Sequence, residues 1–113
     1  MSQTVTTQLL GQTSFDGSQS TYVSPNVPAA GYYLSKKNMQ TVTWNITGVS
    51  GVLAFQATLA ENPTEDDWFV VHTFEANNQT QNSYQNITGN FVWIRFTINN
   101  FSAGVIQHVK VSY

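Results

Sequence analysis

The chain has 113 residues, no cysteine and a formal net charge of −2, from four basic and six acidic side chains. That length gives one domain able to bury a core unaided. The missing thiols exclude disulfide staples and thiolate metal sites. The four cations, Lys36, Lys37, Arg95 and Lys110, form no run, which argues against nucleic acid as a partner.

Charged residues make up only 9% of the chain, against about 25% in a typical domain. Asn, Gln, Thr and Ser together supply 45 residues. A surface of neutral polar groups has weak long-range fields. It suits packing against neighbours in an assembly, and equally hydrogen bonding to sugars. No stretch approaches the roughly 18 apolar residues of a membrane-spanning helix. The opening MSQTVTTQLLGQTS has neither the basic start nor the apolar core of a secretory signal. The expectation is synthesis in a cytoplasm and no membrane partner.

Residues 1–30 are rich in Gln, Ser, Thr, Pro and Gly and read as an N-terminal arm or edge segment. Short strands are expected from Thr4 to Leu10 and around Ser20 to Val23, and Pro25 and Pro28 then break any regular element. Residues 31–113 read as the β-sandwich domain. Tyr32–Leu34 predicts a short strand, and 35–38 a polar turn. Gln40–Thr47 places Val42, Trp44 and Ile46 on one face. Val52–Leu59 places Leu53, Phe55, Ala57 and Leu59 inward, and the intervening Gly48–Gly51 reads as a turn. Glu61–Asp67 is an acidic loop. Trp68–Phe74 is a strand apolar on both faces, which predicts a covering layer or a partner. Residues 76–83 read as loop and Tyr84–Ile87 as a short strand. Phe91–Asn99 and Val105–Tyr113 alternate with period two on either side of Asn100–Gly104, the pattern of a terminal hairpin. It places Val92, Ile94, Phe96 and Ile98 on one face and Val105, Val109, Val111 and Tyr113 on another. The whole predicts an all-β antiparallel sandwich of jelly-roll type. A repeated Asn-Ile-Thr-Gly, at 45–48 and 86–89, fits either two similar half-sandwich units or a shared turn preference.

The residues for catalysis are sparse. His72 shares a predicted strand face with Trp68, Val70 and Phe74. His108 lies opposite an apolar face and reads as solvated. No nucleophile elbow, phosphate loop, HExxH or calcium-loop pattern occurs. The expectation is no enzyme, no catalytic residue, no cofactor and no metal site. Glu61, Glu65, Asp66 and Asp67 form the one acidic cluster. It reads as the first turn of a short helix capped by Asn62 with Pro63 behind it. Calcium binding and a glycosidase carboxylate pair are the alternatives. Trp44, Trp68, Trp93, Tyr22, Tyr32, Tyr33 and Tyr84 are candidates for a sugar platform. Trp44 reads as core. Trp93 and Arg95 face away from Val92, Ile94 and Phe96, toward a second sheet, a subunit or a ligand. The glycosylation sequons at Asn45, Asn78, Asn86 and Asn100 read as chance in so Asn- and Thr-rich a chain.

From about Gly51 the chain resembles small structural modules of tailed bacteriophage particles, especially marine and cyanobacterial phages. The residues that carry the resemblance are Ala57-Thr58-Leu59-Ala60, Asn62-Pro63-Thr64, Asp67-Trp68-Phe69, the run Tyr84 to Arg95, and the closing stretch to Tyr113. It covers a little over half the chain and implies a virion structural protein with no catalytic residues, made in the host cytoplasm. A head decoration or cement subunit is the favoured expectation. A neck, tail or baseplate component and a carbohydrate-binding host-attachment module are the alternatives. The partners expected are major capsid or neck and tail subunits and further copies of the chain, with a surface glycan as the partner of the attachment alternative. Val5, Leu9, Leu10, Phe15, Tyr22, Phe69, Val71, Trp93 and Arg95 are the candidate interface residues. The apolar side chains of the arm are too few to fold alone, so the arm is expected to order against another chain.

Overall fold

The computed structural model describes residues 6–17, 20–29, 39–89 and 91–113. The expected strand at Tyr32–Leu34 and the turn after it lie outside these residues. So do Val5, Tyr32 and Tyr33 as site candidates.

Three strands of 20 residues each dominate: β5 (Met39–Thr58), β6 (Phe69–Thr88) and β7 (Trp93–Ser112). Four short ones precede them: β1 (Thr6–Leu10), β2 (Thr13–Ser14), β3 (Tyr22–Val23) and β4 (Val27–Pro28). The only helical element among the described residues is one 3-10 turn, Glu65–Asp67. β5 pairs antiparallel with both β6 and β7, and β1 to β4 all pair antiparallel with β7.

A straight strand of 20 residues would run about 66 Å, yet the longest dimension of the molecule is 41 Å. The long strands therefore bend. The bend is visible in β5 itself, where Trp44 and Phe55, eleven residues apart, have ring centroids only 5.7 Å apart. The bend line crosses all three strands where the backbone turns to positive φ: Gly48 and Gly51 in β5, Asn78 in β6, and Asn100 and Gly104 in β7. Register shifts fall at the same place, on either side of Val49 and Ser50.

Gly48–Gly51 and Asn100–Gly104 are thus not hairpin turns. They are corners at which one strand passes from the first sheet to the second. Residues 76–83, expected as loop, continue β6 across the same corner. Glycine and asparagine signal positive φ, and a sharp corner needs it as much as a tight turn does.

Each long strand contributes once to each of two sheets. One sheet runs in the order β1 with β2, residues 105–112, residues 39–47, residues 79–88. The other runs β3 with β4, residues 93–99, residues 52–58, residues 69–76. Two four-stranded sheets with this order form a jelly-roll β-sandwich.

The core lies between the sheets. Val42, Trp44 and Ile46 face Leu53, Phe55 and Ala57, with Ile94, Phe96 and Ile98 from β7. All are buried, as the alternation predicts. Leu59 is not: it lies beyond the end of β5 and is 63% exposed. In the last stretch a register shift moves Ile106, rather than Val105, into line with Val109 and Val111. His72 points inward and stacks on Trp44 with ring centroids 5.7 Å apart.

The described residues of the N-terminal segment pair with and pack against their own chain. Leu9, Val27 and Ala29 are buried in the core. Phe15 and Tyr22 pack edge-on against Phe101. Ser24 exchanges two 2.8 Å hydrogen bonds with Phe96, its backbone N–H donating to the Phe96 carbonyl and its hydroxyl accepting from the Phe96 N–H. The apolar residues of this segment suffice because β7 supplies a full-length template for pairing.

Candidate functional site

The two outer faces of the sandwich differ. One is covered. The connection between β5 and β6 folds back over the sheet that contains residues 93–99, and Arg95 fastens it. The Arg95 guanidinium is buried against the sheet, with a side-chain exposure of 9%. Its Nε donates to Gln56 Oε1 at 2.7 Å, and Nη1 and Nη2 donate to the two Glu65 carboxylate oxygens at 3.2 and 3.0 Å. The guanidinium also lies 4.3 Å from the centre of the Trp68 ring. Trp93 Nε1 donates to the Glu61 carbonyl at 2.9 Å. Beneath this cover Thr58, Ala54 and Thr97 are buried although their side chains point away from the core.

The acidic cluster is part of that cover. Thr64, not Asn62, precedes the 3-10 turn. Its backbone N–H and hydroxyl both donate to Asp67 Oδ2, at 2.7 and 3.1 Å. The fork of Arg95 holds the Glu65 carboxyl below its ordinary range, first through hydrogen bonding and second through opposite charge. Two of the four acids are therefore engaged structurally. Among the described residues, no three acidic or histidine side chains converge to hold a metal ion.

The other outer face is bare among the described residues. Cross-strand register places its side chains in rows. One row runs Thr6, Ser112, Thr41, Asn86, and the next Gln8, Lys110, Thr43, Tyr84. A third contains His108, Asn45 and Asn82. Thr41 donates to Asn86 Oδ1 at 2.7 Å and Thr6 to Ser112 Oγ at 3.1 Å, which fixes two of these side chains in place. A depression of about 300 Å³ lies on this face, lined by Thr6, Thr41, Thr43, Asn82, His108 and Lys110 among others. His108 is half-buried rather than solvated, and its Nδ1 is buried without a hydrogen-bond partner among the described residues. Tyr84 stands 65% exposed in the row of Thr43.

A third feature is the edge formed by β6. In both sheets β6 is the last strand, so one side of its 20-residue backbone has no strand partner among the described residues. Its sequence holds one formal charge, Glu75, and no lysine, arginine or proline. Phe69 and Val70 are exposed at one end of it, and Tyr84 toward the other.

The eight described candidate interface residues are spread over the fold. Leu9 is in the core, Leu10, Phe15, Tyr22 and Val71 pack against it, and Arg95 and Trp93 hold the covering segment. Among the described candidates Phe69 alone is exposed, at the end of β6, with its ring 5.5 Å from that of Phe91. The bare face is legible in part from sequence. Thr41, Thr43 and Asn45 alternate with core residues, as do Lys110 and Ser112, and that alternation marks an outer face. What the sequence does not carry is which outer face is covered.

Jelly-roll sandwiches of this kind recur among solved structures. Over 97% of this chain and 91% of the other, the fold matches the SPBc2 prophage-derived protein YomS, with a TM-score of 0.63 and 13% identity. The family 29 carbohydrate-binding module CBM29_1 from Piromyces equi matches over 96% of this chain and 90% of its own, with a TM-score of 0.51 and 8% identity. The K1 cleaved adhesin domain of Lys-gingipain from Porphyromonas gingivalis W83 matches over 96% and 72%, with a TM-score of 0.52 and 9% identity. At such identities the likeness is one of fold. The sequence matches no family model, and no curated protein matches it.

Proposed function

We propose that the chain is a non-catalytic structural protein of a phage particle, and within that class a decoration or cement subunit of the head. The observation that carries this reading is the two-way, nearly full-length likeness to a prophage-derived protein, added to the resemblance of the stretch from Gly51 onward to phage structural modules. The edge strand β6 supports it. Exposed edges are ordinarily guarded by charges, prolines or bulges, because an unpaired ladder recruits another strand. β6 has a single carboxylate and no proline over 20 residues, and its bulges lie near Val71 and Asn78. The stretch from Gln79 to Thr88, without an extra residue of its own, fits an edge that is paired in an assembly. The histidines give no reason to read an enzyme: His72 is held in an aromatic cluster with Trp44, and His108 has no carboxylate beside it in its row. The adhesive mechanism is the repetition of modest contacts around a symmetric shell.

Two measurements test this. Purified particles should contain the chain in stoichiometric amounts, and a particle reconstruction should place it on the head. Its deletion should lower the temperature at which particles release their genome. Absence of the chain from purified particles would refute the structural reading. Presence on the neck or tail would refute only the choice of the head. Replacing Gln79 and Gln85, both exposed on the edge strand, by lysine should reduce occupancy on particles while the isolated protein melts as before. Unchanged occupancy would remove β6 from the interface.

A further inference from the structure

We infer that the bare outer face binds a hydroxyl-rich, weakly acidic glycan, with Tyr84 as stacking platform and Lys110 as the charge that selects an acidic sugar. The inference begins with the asymmetry of the sandwich. One outer face is closed by the segment that Arg95 fastens. The opposite one is open among the described residues and carries the 300 Å³ depression.

Its chemistry is specific. Hydroxyls of Thr43 and Thr41, amides of Asn82 and Asn86, and the Lys110 ammonium share adjacent rows on neighbouring strands. Strands lie about 4.8 Å apart, so a four-stranded face presents these groups over about 14 Å. Such a set of donors and acceptors matches sugar hydroxyls. It is a poor match for a protein surface, whose contact centre is apolar and aromatic.

Tyr84 supplies the apolar complement. It is 65% exposed on a polar face and is the cross-strand neighbour of Thr43, which lines the depression. A solvent-facing aromatic ring stacks on the C–H face of a pyranose while its hydroxyl stays wet. The groups around it are held in place in advance, since Thr41 fixes the Asn86 amide. Lys110 is the single formal charge in these rows, and no acid on the described residues pairs with it. A carboxylated sugar would supply the missing partner.

This site adds attachment to a host surface to the structural role. It stands or falls separately from the position of the chain on a particle, because the isolated protein reports on it. The full-length protein is titrated with oligogalacturonate and with cello- and manno-oligosaccharides of equal length, followed by amide chemical shifts and calorimetry. Oligogalacturonate is expected to bind best, with shifts confined to the rows around Thr43. Tyr84→Ala should weaken that binding about tenfold, as loss of a ring contact does. Lys110→Met should remove the preference for the acidic oligomer, and Glu75→Gln, on the same strand as Tyr84 but in the other sheet, should change nothing. Melting temperatures of the three variants establish that the fold is retained. Absence of binding to all three oligosaccharides, or binding that survives Tyr84→Ala and Lys110→Met unchanged, overturns the inference. So do shifts that map to the covered face.

Discussion

Arg95 shows how much one side chain decides. Its alternation with Val92, Ile94 and Phe96 marks it as an outward group, available for a subunit contact. The alternation is right, but a covering segment has closed over it. Period-two patterning tells which side of a sheet a residue occupies and is silent on what lies above that side. Removing the guanidinium by Arg95→Ala should cost about 2–3 kcal/mol, the scale of lost charge-assisted hydrogen bonds, and should free Trp68. A denaturant midpoint equal to that of the parent protein would show that the cover is held by other contacts. Glu65 gives the same junction a pH dependence. Its carboxyl titrates below the ordinary value of 4.5 because Arg95 stabilises the charged form. A depressed acid contributes its stability above the unfolded value and loses it as pH falls through the folded one. The tie between cover and sheet should therefore persist through neutral and mildly acidic solution and release below the ordinary carboxylate range. Carboxyl and indole resonances of Glu65 and Trp68 should move together in that window, and Glu65→Gln should abolish the coupled change.

At the scale of the element, the corners explain why the strand boundaries differ from those the sequence implies. Inward faces are legible at Val42, Trp44 and Ile46, at Leu53, Phe55 and Ala57, and at Ile94, Phe96 and Ile98, because each run alternates on its own. The connection between runs is not. Gly48, Gly51, Asn100 and Gly104 announce a change of backbone direction, and that signal is common to a hairpin and to a strand that folds over a corner. What distinguishes them is pairing: Ser50 lies opposite Ala103, so the two corners are stacked rather than being separate turn tips. The stacking is close. Gly104 has a φ of +96°, and a Cβ there would overlap the Gly48 carbonyl and the Val49 backbone. Gly104→Ala should therefore destabilise the fold by about 3 kcal/mol or more, since both strain and backbone collision act. Gly17 is the control. Its φ is +87°, but a methyl group added there would meet nothing within 4 Å, so Gly17→Ala should cost only the conformational term of about 1–2 kcal/mol. Equal losses for the two variants would show that the corners do not touch as described.

For the whole molecule, the decisive relation is between the two ends of the chain. Thr6 pairs with Ser112 and Val27 with Ile94, so the N-terminal segment forms the outermost strand of both sheets and covers β7 along its length. The low apolar content of residues 1–30 points, as a local argument, to an arm that orders on a neighbour. That argument leaves out long-range pairing: the described residues of the segment complete a core made by residues far away in sequence. The consequence for deletion is the reverse of what a free arm would give. Removing residues 1–28 uncovers β7, strips Leu9 and Val27 from the core, and breaks the exchange between Ser24 and Phe96. Burial of two such aliphatic side chains is worth about 1.5–3 kcal/mol each, before the backbone pairing is counted. That is a large share of the roughly 5–15 kcal/mol typical of a domain. The truncated protein should melt well below the full chain, by on the order of 15 °C or more, and should self-associate through the newly exposed edge of β7. On the proposed virion role, it should also lose occupancy on particles, and the loss should follow the loss of fold. A truncated protein that is monomeric, melts with the parent and still loses its place on particles would restore the arm as a docking device and separate it from the sandwich.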